Sequence, residues 1–211
     1  ANFIDLKVDE KPLGEYLKEK ANGRGVLLVT GHLGNWEMLA FSIGAALEPI
    51  HFFARPIDNP IVEELVDKKR RAFGNVPVDK TNSVMRAMRV LKSGGMFGVL
   101  SDVNAHPKEG VFVDFFGIPA STHTGPALLA IRANAIIMPV FAIWNADGSK
   151  YIFEYAEAFE PSRTGDLEHD IQVTTQRYTA AIESVIRKYP DQWLWIHRRW
   201  KTRPPGEHEL Y

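Results

Sequence analysis

Gly25-Val26-Leu27-Leu28-Val29-Thr30-Gly31-His32-Leu33-Gly34-Asn35-Trp36-Glu37 holds a strand, a turn and the start of a helix in one run. Residues 26–30 are β-branched or leucine and lie between glycines, the pattern of a buried strand; the residues after them read as a turn entering a helix. Open α/β sheets place their chemistry beyond the carboxyl ends of their strands, so His32 stands where a reacting group is expected. Five residues on comes a carboxylate, Glu37.

Residues five apart on an ideal helix lie about 140° apart and do not face each other. His32 and Glu37 can meet only if the histidine lies in the turn and the glutamate in the first helical turns. A carboxylate on one ring nitrogen fixes the tautomer and raises the basicity of the other, which can then take a proton from a hydroxyl. On this reading His32 is the base and Glu37 its orienter. The alternative is a capping histidine beside a surface glutamate. The catalytic reading stands or falls with an oriented imidazole that opens onto a cavity.

Outward from this stretch, strand and helix patterns alternate. Residues 10–22 predict a short polar helix and 35–47 a helix with Trp36, Leu39, Ile43 and Leu47 at helical spacing. A strand is expected over 50–54. Asn59-Pro60 then starts a helix that should end at Gly74. A strand over 76–78, a helix over 83–92 closed by Gly94-Gly95, and a buried strand over 96–101 follow. Residues 102–110 form a polar loop, 111–115 alternate like a half-buried strand, and Thr124-Gly125-Pro126 opens a helix to about Ala133. Strands over 136–144 and 151–155, joined by Asn145-Ala146-Asp147-Gly148, predict an antiparallel hairpin. A long helix over about 168–189 precedes an aromatic and basic tail. The expected fold is an α/β sandwich: a mostly parallel central sheet, helices on both faces and a C-terminal antiparallel hairpin, in a single domain over 1–211.

Composition narrows the chemistry. The chain has 211 residues, 45% of them hydrophobic, enough for one full core. A net charge of −1 argues against bulk nucleic-acid binding, so any anion site must be a local cluster. The absence of cysteine excludes a thiolate nucleophile, a cysteine zinc site and a disulfide framework. No segment approaches the roughly 18 apolar residues that span a bilayer, and the opening residues resemble no signal peptide. Neither a G-x-S-x-G elbow nor a glycine-rich nucleotide loop occurs. A metal at His32 and Glu37 would need further ligands, and His51, His106 and His123 have no spacing that supplies them.

Three further clusters stand out. In Lys68-Lys69-Arg70-Arg71, Glu64 and Asp67 lie four residues before Lys68 and Arg71, the favourable acid-first order, whereas Arg70 has Val66 at that offset. Four consecutive residues sweep about 300° of a helix, so at least one cation points toward the body of the protein. It could bind a phosphate; the alternative is a solvated helix end favoured by the macrodipole. Ser101-Asp102-Val103-Asn104 ends another buried strand, which puts Asp102 on the same sheet edge as His32, to contact an acceptor, support a basic residue or cap a turn. Residues 115–120 form an apolar loop that could wall a hydrophobic tunnel or belong to the core. Residues 192–203 carry three tryptophans and four fixed cations, which fits either a lipid headgroup layer or a buried terminal strand.

Taken together, Gly31-His32-Leu33-Gly34-Asn35-Trp36-Glu37 resembles the H-x4-E/D signature of the lysophospholipid acyltransferase superfamily, and most closely its bacterial lipid A biosynthesis lauroyl/myristoyl branch. The resemblance continues through residues 70–74, where the family has R-x-x-x-G, and through 110–117, 122–126 and 135–140. It covers about 24–203, leaving 1–23 as an amino-terminal extension. It implies transfer of an acyl chain from a thioester of acyl carrier protein or coenzyme A to a hydroxyl of a lipid acceptor. It implies no cofactor or metal, and a place at the cytoplasmic face of the bacterial inner membrane.

Carried over, His32 is the general base, Glu37 its partner and Arg70 a phosphate contact, with Asn35, Asp102 and Asn104 as polar substrate contacts. The family often reads Asp-Gln-Asp where this chain has Asp102-Val103-Asn104. Family members usually carry an amino-terminal membrane helix that this sequence lacks, which implies a truncated chain or a different anchoring. A thioester is already activated, so an oriented base and donors for the oxyanion suffice, the latter expected from backbone N–H groups of residues 33–36. The rival readings are an acyl-thioester hydrolase and a non-catalytic lipid-binding module.

Overall fold

A computed structural model describes residues 7–8, 11–79, 83–147 and 149–211. Residues 1–6, Glu10 at the start of the first expected helix, and Gly148 of the hairpin turn lie outside the described residues. A two-residue antiparallel pair, β1 (Lys7–Val8) and β2 (Lys11–Pro12), precedes α1 (Leu13–Ala21). The chain then alternates through β3 (Val26–Thr30), α2 (Trp36–Ala46), β4 (His51–Phe53), α3 (Pro60–Arg70), β5 (Val76–Val78), α4 (Ser83–Lys92) and β6 (Met96–Leu100). A separate hairpin, β7 (Gly110–Phe115) and β8 (Ile118–His123), leads to α5 (Gly125–Ala133), β9 (Ile136–Asn145), β10 (Lys150–Tyr155) and α6 (Leu167–Lys188).

The central sheet has the order β10-β9-β3-β6-β4-β5, parallel throughout except for β10 on β9. This is the expected α/β fold with its antiparallel hairpin. Successive side chains on a strand point to opposite faces, and both faces are covered. Leu27, Val29, Phe97, Val99 and Ile137 pack with α4, α5 and α6; Val26, Leu28, Met96, Ile136 and Met138 pack with α1 and α2. That double coverage explains why β3 is apolar without alternation.

Local chemistry sets the helix starts. Asn35 caps α2 by accepting from Met38 N at 2.9 Å, Asn59 caps α3 ahead of Pro60, and Asp166 caps α6. The third helix stops at Arg70 rather than running to Gly74, because Phe73 (φ 58°) leaves the right-handed region in the turn that follows. Two expectations for the later chain are corrected. Residues 115–120 are not a loop but the tight turn and start of the β7–β8 hairpin, with Phe116 and Gly117 both at positive φ, and of the two readings, tunnel wall or core, Phe115 and Ala120 take the core. The tail is not a terminal strand: it makes one isolated bridge, Leu33 to Trp193, and otherwise runs irregularly.

Candidate active site

Strands β3 and β6 are adjacent and parallel, with Thr30 opposite Leu100. Two residues beyond each lie His32 and Asp102, so the sheet register itself brings them side by side. His32 Nδ1 stands 2.9 Å from Asp102 Oδ1, and the His32 backbone N–H donates to Asp102 Oδ2 at 2.7 Å. Gly31 makes this approach possible: a Cβ there would lie 3.1 Å from the Asp102 carboxyl carbon. Gly34 has φ +61°, and a Cβ on it would meet Ala142 O at 2.1 Å, so the turn after His32 requires glycine there.

The acid on the imidazole is therefore Asp102, not Glu37, which corrects the expected pairing. Glu37 turns to Arg70, accepting from Nη2 at 2.6 Å and from Nε at 3.1 and 3.2 Å. The physical reason is the one the spacing already contained: Glu37 lies on the first turn of α2, rotated away from the turn that carries His32, and α3 delivers a guanidinium to it. Arg70 is thus held by a two-oxygen clamp through Nε and Nη2, and Nη1 is not part of that clamp.

Asp102 is buried, and the indole Nε1–H of Trp193 donates to its Oδ2 at 2.9 Å. Burial pushes its carboxyl upward, but the His32 ring, the Trp193 indole and the His32 amide together hold it below the ordinary aspartate value. Burial likewise lowers the basicity of His32, and the hydrogen bond and charge of Asp102 outweigh it, so the ring sits above the ordinary histidine value. With Nδ1 occupied, Nε2 is the ring atom that can take a proton.

Trp36 stands edge-on to the imidazole at 4.9 Å between ring centroids. His32, Trp36, Glu37 and Arg70 rim a cavity of about 390 Å³ that runs between α2 and the sheet to Ile43 and Ile50, lined by Leu28, Leu39, Ala40, Phe52 and Gly98. It is apolar at depth and carries its charges at the rim.

Asn35 and Asn104, expected as substrate contacts, have their side chains engaged in structure. Asn35 caps α2 and donates from Nδ2 to the Tyr151 hydroxyl at 3.1 Å. Asn104 exchanges hydrogen bonds with Thr202 of the tail, and its backbone N–H donates to His197 Nε2 at 3.2 Å. Of the four amides expected as oxyanion donors, Gly34 N–H donates to Gln192 O and Asn35 N–H to Ala142 O, so the candidates from that expectation narrow to Leu33 and Trp36.

What sequence reasoning missed is the tail. Trp193 completes the Asp102 site, and Arg199, fully buried, donates to Ser121 O at 2.7 Å and to the Thr122 hydroxyl while lying over the Phe115 ring. The signal was present in the dense run of tryptophans and arginines, but their targets, Asp102 after β6 and Ser121 and Thr122 on β8, lie about 80–90 residues earlier in the chain.

Comparison with known proteins gives the family. The sequence profile described as bacterial lipid A biosynthesis acyltransferase matches residues 7–202. A lipid A biosynthesis acyltransferase of Haemophilus influenzae is 29% identical over 194 residues, 91% of this chain and 58% of that protein. The lipid A biosynthesis lauroyltransferase of Escherichia coli is 30% identical, covering 93% of this chain and 63% of that protein. The myristoyltransferase of the same organism is 25% identical, covering 99% and 63%. The chain thus spans less than two thirds of the length of these relatives.

Proposed function

Because the chain belongs to the bacterial lipid A biosynthesis acyltransferase family, we propose that it moves a fatty acyl chain from an acyl thioester to a hydroxyl of a lipid A-type acceptor. The observation that carries this is the His32–Asp102 pair at the rim of a deep apolar cavity. The thioester's alkyl chain would occupy the cavity, where each buried methylene contributes about 0.8 kcal/mol, and its carbonyl would rest beside His32.

In the reaction, His32 Nε2 takes the proton of the acceptor hydroxyl as that oxygen attacks the thioester carbonyl. The tetrahedral intermediate collapses, the carbon–sulfur bond breaks, and the imidazolium returns the proton to the leaving thiolate. The products are an ester and a thiol, with no covalent enzyme intermediate and no cofactor. Asp102 keeps the proton of the neutral ring on Nδ1 and stabilises the imidazolium. The positive amino end of α2, beginning at Trp36, favours the developing oxyanion. Arg70, steered by Glu37, has Nη1 to offer an anionic group of donor or acceptor. The thiol carrier is an acyl carrier protein or coenzyme A, and the site of action the cytoplasmic face of the inner membrane.

Mass spectrometry of cellular lipids before and after expression tests the reading: one glycolipid species should gain an acyl chain. His32→Ala should lower the rate by about 10²–10⁴-fold while the protein stays folded. Release of free fatty acid at the same rate with and without acceptor would instead make the protein a thioester hydrolase.

A further inference from the structure

An amphipathic helix normally turns its apolar stripe inward; α3 does the opposite. None of its residues is buried, and Ile61 and Leu65 are 72% and 61% exposed, with Val62 also open to solvent. On a helical projection Ile61, Leu65, Lys69 and Val62 fall within about 100° of one another, with Lys68 about 20° outside Ile61. Arg70, Glu63 and Asp67 fall within about 60° on the opposite side. There Arg70 holds Glu37, Glu63 accepts from the Ile57 amide and Asp67 pairs with Arg71, while Glu64 stands at the margin. The helix thus keeps Arg70 against the protein and shows solvent a face of aliphatic side chains and two lysines. Among the described residues neither lysine forms an ion pair.

We propose that this outer face of α3 rests on an anionic lipid layer. The aliphatic side chains would enter the headgroup boundary, and Lys68 and Lys69 would meet the lipid phosphates, the charge complementarity that a neutral apolar partner or a second copy of the same lysine-bearing face lacks. The position gives the contact its purpose. The inner face of the same helix carries Arg70 at the rim of the cavity, so a lipid drawn from the layer has roughly one helix diameter, about 10–12 Å, to cross. This inference rests on the proposed acyl transfer to a lipid acceptor.

The test is flotation with vesicles of phosphatidylethanolamine with and without phosphatidylglycerol. The protein should float with the anionic vesicles, less so at high salt. The double variant I61E/L65E should bind at least about tenfold more weakly, and K68E/K69E should lose the preference for phosphatidylglycerol. Both positions of I61E/L65E are exposed; circular dichroism checks its fold, and I61S/L65S repeats the test without added charge. Activity of I61E/L65E toward detergent-dispersed acceptor should equal that of the unchanged protein. A protein that floats but makes no ester with any acceptor would sink the acyl-transfer reading and leave the surface standing. Flotation of I61E/L65E at the unchanged level, flotation lost only in a tail variant such as I196E, or a dimer that I61E/L65E dissociates with vesicle binding intact would each overturn the docking surface.

Discussion

At the scale of single residues the decisive group is Asp102, whose carboxylate accepts from the His32 ring, the His32 amide and the Trp193 indole. Asp102→Asn removes what raises the His32 pKa and leaves only burial, which lowers it. The base works when neutral, so the rising limb of the pH–rate profile should move from above the ordinary histidine value of 6.5 to below it. The maximal rate should fall by roughly 10²–10⁴-fold as the ring loses its fixed tautomer. In the unchanged protein the raised pKa makes the charged pair stabilising below the ordinary histidine range, a contribution lost as pH rises through the raised value. Trp193→Phe keeps an aromatic side chain but deletes the indole donor and some buried volume: kcat should drop about tenfold with KM unchanged, the rising limb should stay above 6.5, and stability should fall by about 1.5–3 kcal/mol. Steady-state kinetics across pH, with denaturant melts, measures both variants.

At the scale of elements the tail after α6 is a strap over the carboxyl edge of the sheet. Leu194 N–H donates to His32 O, Asn104 and Thr202 exchange hydrogen bonds, and Arg203 donates to Pro119 O at 2.7 Å. Arg199 is its anchor, and burial depresses its pKa to about 10, still charged at neutral pH. Arg199→Ala would leave Ser121 O without its donor and a void against Phe115. The expected cost is about 3 kcal/mol, a fall in Tm of roughly 6–12 °C for a chain of this size, read by calorimetry. Substituting Arg198 and Arg199 together would therefore be a poor probe of membrane contact, since one of the two holds the fold together.

At the scale of the whole molecule the cavity is a gap between layers, floored by the sheet and roofed by α2. From Trp36 at its rim to Ile43 at its depth is seven residues, about 10 Å of helix. Ile43→Phe should fill the deep end and shift preference toward shorter acyl chains, while leaving the rate with those chains near normal. Competition between thioesters of different length measures it; an unchanged preference would place the alkyl chain elsewhere. Among the described residues no helix is long and apolar enough to cross a membrane.

The strand, turn and helix at 26–46, the alternation that makes the sheet parallel and the hairpin at its edge were legible in the chain, because burial on both faces and capping at helix starts are local demands written in consecutive residues. His32 was legible for the same reason: it follows a buried strand. Its partner was legible only as one alternative, since Asp102 stood on the same edge able to support a basic residue while Glu37 was the expected orienter. Glu37 is near in sequence but turned toward Arg70, whereas Asp102 arrives from a strand whose place beside β3 is set by the order in which α4 returns the chain to the middle of the sheet. Sequence by itself determined that His32 and Asp102 open on one edge of the sheet. Tertiary structure alone decided which acid meets the imidazole, because strand adjacency and register depend on long-range packing that no local pattern encodes.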